Sequence, residues 1–301
     1  MKKLFLVLAA FVAAAAAPAK DPLTHEAMWL MKRVGAPSPS PDGQWVVFPV
    51  TEPAYDEKEQ VSDLWLVRAD GIGSPRRITF TKAGESGVAW SPDSRRIAFS
   101  AKREGDDASQ VYILDLAGGG EAILVTSLST GASQPRFSPD GRRLLFQSNV
   151  YPGAADDAAN KKIAAERKAR KYNARVYDGF PIRNWDHWLD DRQVHLFIQA
   201  AVAGATARDL LAGTRLVAEA GYGGVSGSSG DDLQPAWTSD GKAIVFAATV
   251  NRRQAAYANV VTHLYRSDAA GGEPAALTSG PASYTKPAFS PDGKALYALS
   301  T

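Results

Sequence analysis

The sequence has no cysteine, which excludes a disulfide scaffold, thiol chemistry and lipid attachment through an N-terminal cysteine. It also has no excess of either charge, with 34 Lys and Arg against 32 Asp and Glu. A balanced surface argues against nucleic acid as a partner, because that affinity rests on neutralising phosphates. No apolar run reaches the ~18–20 residues needed to span a bilayer. The longest, Leu4 to Ala17, follows Met1-Lys2-Lys3 and runs into Ala17-Pro18-Ala19. A basic start, a short apolar stretch and a small-x-small site read as an export leader, residues 1–19, cleaved after Ala19. Cleavage would bring the basic residues down from 34 to equal the 32 acidic ones, leaving a periplasmic or secreted chain without a membrane segment.

Catalytic motifs are missing as well. A nucleophile elbow, G-x-S-x-G, is approached only by Gly224-Val225-Ser226-Gly227-Ser228, which fails at its last position. No alternation of strands and helices marks an α/β domain, so no catalytic residue is assigned. Gly118 to Gly120 and Gly271-Gly272 precede no helix that would receive a phosphate, and are read as turns. Asp186, His187 and His195 match no compact ligand motif, so no metal and no cofactor are expected. His25 and His263 lie in plain structural contexts.

What the chain does have is a repeated phrase. Five segments align without gaps: PSPSPDGQWVVFPV from Pro37, VAWSPDSRRIAFSA from Val88, PRFSPDGRRLLFQS from Pro135, PAWTSDGKAIVFAA from Pro235 and PAFSPDGKALYALS from Pro287. In Ser-Pro-Asp-Gly the Pro presets φ, the Asp bonds nearby backbone and the Gly takes a positive φ, a recipe for a tight β-hairpin. Ser94 in place of Gly and Ser239 in place of Pro mark two weaker turns. After each of the first four turns come three adjacent apolar residues, such as Leu144, Leu145 and Phe146. Successive strand residues face opposite ways, so these strands must be buried on both faces. Both-face burial with a period near fifty predicts an all-β fold, a β-propeller whose small sheets stack on their neighbours.

A second phrase, LWLVRADGIGSPRRIT from Leu64, VYILDLAGGGEAILVT from Val111 and LYRSDAAGGEPAALT from Leu264, supplies another hairpin. Two hairpins make a four-stranded blade. Blades therefore start near residues 37, 88, 135, 235 and 287, within a propeller domain of 20–301. The turn aspartates at 42, 93, 140, 240 and 292 are 51, 47, 100 and 52 residues apart. The long step is assigned to one blade carrying an insertion at 150–193. The count gives four complete blades and the start of a fifth, an incomplete ring cut short inside a strand.

The insertion opens with Asp156 and Asp157, then a stretch rich in Ala, Lys and Arg from Ala158 to Tyr172. Acids at the start and bases at the end predict a helix, either a solvated surface helix or one at an interface. IRNWDHWLDDRQVHLF, Ile182 to Phe197, follows it. Its arginines and carboxylates beside indoles suit fixing a loop or binding a peptide terminus.

The SPDG hairpins, the Gly-rich blade turns, THEAMWLMKRVGAPSPSPDGQWVVF and IRNWDHWLDDRQVHLF together resemble the N-terminal propeller of exported bacterial prolyl oligopeptidase family enzymes. The nearest branch is that of dipeptidyl aminopeptidases and acylaminoacyl peptidases. The resemblance implies an α/β-hydrolase domain with a Ser, Asp, His triad after the propeller, which gates access of short peptides. It also implies that the insertion holds the substrate's free amino terminus, with Glu166, Asp178, Arg183 and Asp186 as candidate residues. Family propellers usually have seven or eight blades, more than are seen here. The alternative is a non-enzymatic TolB-type propeller serving as a protein-interaction module. TolB-type proteins place an α/β domain before the propeller, and the roughly twenty residues after Ala19 are too few for one. Homo-oligomerisation is left open by the sequence.

Overall fold

Each repeated phrase folds as a hairpin turn organised by the hydroxyl that opens it. In the third copy Ser138 Oγ donates to Asp140 Oδ1 at 2.5 Å and accepts from the Arg143 amide at 3.0 Å. Asp140 Oδ1 in turn accepts from the Arg142 amide at 3.1 Å. The same pattern links Ser40 to Asp42, Ser91 to Asp93, Thr238 to Asp240 and Ser290 to Asp292. Gly43, Gly141, Gly241 and Gly293 sit at φ of 68°, 68°, 66° and 70°, and Ser94 is held at 58°. The left-handed position inferred for the fourth residue is therefore occupied in all five turns, once by a residue with a Cβ.

The computed structural model describes residues 22–81, 84–172, 174–177, 179–184, 186–227 and 230–301. The expected leader lies outside them. No helix among the described residues is long and apolar enough to cross a membrane.

Around the turns, antiparallel strands assemble into blades. Blade 1 holds Ser38–Pro39, Trp45–Glu52, Val61–Arg68 and Arg76–Arg77, with Arg33–Val34 added beside Val50 and Thr51. Blade 2 holds Ser86–Trp90, Arg96–Ala101, Gln110–Asp115 and Ile123–Leu124. Blade 3 takes Ser133–Phe137 and Arg143–Val150 from before the insertion and Gln193–Ala200 and Arg208–Asp209 from after it. Blade 4 holds Ala236–Trp237, Ala243–Ala248, His263–Asp268 and Ala275–Ala276, and blade 5 the pair Tyr284–Phe289 and Leu296–Ser300. The long step thus spans one blade with an insertion, as expected. The threonine that ends the second phrase closes each outer hairpin: Thr79, Thr126 and Thr278 Oγ1 accept from the Leu64, Val111 and Leu264 amides at 2.8, 2.8 and 2.9 Å.

Central strands divide their side chains between two neighbours. Ile97 and Phe99 pack with Val47, Leu64 and Leu66 of blade 1, while Ala98 packs with Leu144 and Phe146 of blade 3. Ile244 and Phe246 meet Leu145 and Leu196 of blade 3, and Val245 and Ala247 face Tyr284 and Phe289 of blade 5. Burial on both faces therefore holds in blades 2, 3 and 4. It does not hold in blade 1, where only Val47 and Val50 of the central strand are buried, nor in Leu296–Ser300, exposed along its length.

Arginine joins consecutive blades. Arg96 Nη2 donates to the Gly141 carbonyl at 3.0 Å and its guanidinium lies over the Phe137 ring. Arg143 repeats this with the Gly241 carbonyl at 2.7 Å and the Trp237 ring.

The insertion helix spans Asp157–Lys168, ending four residues before Tyr172, where the Ala-, Lys- and Arg-rich stretch ends. Asp156 caps it, its side chain accepting from the Ala159 amide at 2.8 Å. It is anchored rather than free: Asp157 accepts from the Ser129 amide and hydroxyl, and the buried Asn160 side chain accepts from the Tyr151 amide.

Candidate functional site

Two concavities lie beside these elements. The first is a channel of about 780 Å³ lined by the innermost strands of all five blades. Its charged groups are Arg136, Asp232 and Lys286. The surrounding protein lowers the pKa of Arg136 by desolvation, against the pull of Asp232, but leaves it a cation at neutral pH. Gln147 holds Asp232, donating to its carboxylate at 2.8 Å, and accepts from the Leu233 amide. Residues at positive φ recur on the channel strands: Gly87, Gln134, Gln234 and Lys286, at 65°, 54°, 48° and 52°. Three of these carry side chains in a region that disfavours them, and the Gln234 side chain accepts from the Lys286 amide at 2.8 Å.

The second concavity is a cleft of about 720 Å³ between the insertion and blades 3 and 4. The insertion supplies Tyr177, Leu189, Asp190 and Asp191, and the blades supply His195, Glu219, Tyr222 and Arg252. Tyr177 stacks on Trp188 and donates to the Leu189 carbonyl, fixing this end of the insertion. Arg167 on the helix grips Asp191 through two hydrogen bonds, which hold that carboxyl below its ordinary pKa. Arg252 pairs with Asp231 and donates to the Gly224 carbonyl at 2.8 Å. A Cβ on Gly223 would lie 2.4 Å from Arg252 Cζ, so a side chain there would push the guanidinium aside. Gly221 and Gly223 bridge to Asn251 and Thr249, and Val225–Gly227 pairs with Gly230–Asp232 as a hairpin.

The candidates inferred from the insertion occupy a different part of it. Glu166 is exposed on the helix, 4.0 Å from Lys162. Arg183 and Asp186 are exposed on the short hairpin formed by Arg183–Asn184 and His187–Trp188. None of these three lines the cleft, and Asp178 lies outside the described residues. Sequence reasoning missed Glu219, Asp231 and Arg252. Asp190 and Asp191 were visible within IRNWDHWLDDRQVHLF but were not singled out. Among the described residues no group of three or more His, Cys, Asp or Glu is arranged to hold a metal ion.

With blades and both concavities in place, the class is defined: this is a β-propeller, and residues 27–168 match the family model for the TolB beta propeller domain. Its homologues are peptidases. Dipeptidyl-peptidase 5 of Porphyromonas gingivalis is 30% identical over 99% of this chain and 43% of its own length. The dipeptidyl-peptidase 5 of Porphyromonas endodontalis is 27% identical over 90% of this chain and 37% of its own length. The chain therefore spans less than half the length of these relatives. The acylaminoacyl peptidase of Pyrococcus horikoshii superposes with a TM-score of 0.52 at 14% identity, over 86% of this chain and 34% of that one, a likeness of fold.

Proposed function

We propose that this chain is the propeller portion of an exported serine exopeptidase, where it gates the passage of short peptides to an α/β-hydrolase domain carried elsewhere in the protein. The observation that carries the reading is the similarity to dipeptidyl-peptidase 5 over nearly the whole chain. The channel supports it physically. A concavity of about 780 Å³ is large enough to hold a short extended peptide. Two cations against one carboxylate bias that passage toward peptides with acidic groups.

In this reading the insertion stands at the rim and contacts the substrate's amino terminus, with Glu166, Asp178, Arg183 and Asp186 as contributing residues. A cationic amine entering a partly desolvated site needs a carboxylate, which favours the acidic members of the set. The test is kinetic. In the intact protein, replacing Glu166 or Asp186 by Ala should raise KM for free-amine dipeptidyl substrates and leave kcat nearly unchanged. Unchanged KM at every one of these positions would remove them from the site. A full-length protein that hydrolyses no peptide would favour the interaction module instead.

A further inference from the structure

The repeated phrase places one residue of each blade at the same point of the innermost strand: Ser38, Ala89, Arg136, Ala236 and Ala288. All five line the concavity of about 780 Å³. Four of them are small, and the third blade alone carries a long cation there. Trp90, Phe137 and Trp237, each one position further on, line the same hollow. A second cation, Lys286, enters from blade 5 at the position that Gly87, Gln134 and Gln234 hold in blades 2, 3 and 4.

Among the described residues, neither the Arg136 nor the Lys286 side chain forms an ion pair or a hydrogen bond. Other arginines of the phrase are used differently, since Arg96 and Arg143 each donate to a carbonyl of the next blade. Asp232, the carboxylate among the lining residues, is taken up by Gln147 Nε2 and the Gln234 amide, both donating to its Oδ1 at 2.8 Å. It attracts Arg136 without pairing with it, while the surrounding protein strips the guanidinium of water. A desolvated cation of this kind lacks the hydrogen bonds that water or a carboxylate would supply, and an anion entering the concavity completes it.

From this we propose that Arg136 and Lys286 form a carboxylate-binding site on the innermost strands, which selects short peptides that carry a free carboxylate. The planar guanidinium donates two parallel hydrogen bonds to the carboxylate oxygens, and the Lys286 ammonium adds a point charge. The rings of Trp90, Phe137 and Trp237 lower the local polarity, so the attraction is screened less than on an open surface. That the carboxylate arrives on a peptide rests on the peptidase reading; the two cations and their setting do not.

The experiment titrates the full chain by calorimetry with three dipeptides: Ala-Gln-amide, which has no carboxylate, Ala-Gln, which has a terminal one, and Ala-Glu-amide, which has one on its side chain. At least one of the last two should bind roughly tenfold more tightly than Ala-Gln-amide, the gain expected for a charge-assisted hydrogen bond. Which of them does so identifies the source of the carboxylate. R136M should abolish that preference and leave the melting temperature close to that of the wild type, because no hydrogen bond of the Arg136 side chain is lost. K286M should reduce the preference severalfold, and it keeps the test decisive if R136M fails to fold. Equal affinity for the three peptides, no binding of any of them, or an undiminished preference in either variant would each overturn the proposal. Hydrolysis by the intact protein is read separately: peptide cleavage without the carboxylate preference rejects this site alone, and the preference without cleavage rejects the peptidase reading alone.

Discussion

Glu85 is a carboxyl displaced far from its ordinary behaviour. Burial pushes its carboxyl up to about 7, although Thr81 donates to it at 2.8 Å. Asp63, buried nearby and only 2.5 Å from Arg77, is also raised by desolvation. The folded chain keeps the Glu85 proton at pH values where the unfolded chain, near 4.5, has already lost it. That stability is fully present below the unfolded pKa and is lost as pH rises toward the folded one. Urea midpoints should therefore fall between about pH 5 and pH 7, and E85Q should flatten the slope. An unchanged slope in E85Q would assign it to another group. Nothing in the sequence marked this residue, because its shift comes from burial between two blades. Ser94 was legible: its place in the repeat required a left-handed residue, and its φ of 58° bears that out. S94G should raise stability by about 0.5–1 kcal/mol, measured by thermal or urea melts.

At the scale of the element, the turn is the unit that repeats. A donating Ser or Thr hydroxyl is the first cause holding each turn carboxylate below its ordinary range. Those contributions are present above the unfolded aspartate pKa and vanish as pH falls through the lower folded values, so acid should loosen all five turns together. S138A removes a hydroxyl that both donates to Asp140 and accepts from Arg143, and should cost about 1–2 kcal/mol in a urea melt. G221A should cost about 2 kcal/mol or more, because a methyl there would lie 2.3 Å from the Val250 carbonyl oxygen, which is backbone and cannot swing away. The Pro, Asp and Gly contributions were readable from the phrase itself. The hydroxyl bond to the amide five residues on, and the Thr that closes the outer hairpin, needed the folded register to be seen. The insertion helix shows the same division. Its acidic cap was visible, whereas its tether to Ser129 joins residues from different elements.

For the whole molecule, the stack of blades leaves apolar groups exposed at one end. Leu296, Tyr297 and Leu299 of the last strand are 37%, 63% and 56% exposed. Such a face on an isolated chain should drive self-association, visible as concentration-dependent sedimentation. Replacing Tyr297 and Leu299 by Lys should reduce it with little change in melting temperature; unchanged association would place the contact elsewhere. The Arg143 link between blades 3 and 4 should be worth about 1 kcal/mol, read from a double-mutant cycle of R143M with W237L.

The sequence by itself determined the turns, the doubled burial of the central strands in blades 2, 3 and 4, the blade order and the single blade split by an insertion. These depend on contacts within a few residues or on a period of two along a strand, which adjacent residues encode. Only the tertiary structure decided the cleft. His195, Asp209, Glu219 and Arg252 meet there because blade 3 closes around the insertion and blade 4 packs against it. No local pattern records that meeting, since burial and charge pairing among distant segments exist only once the blades have stacked.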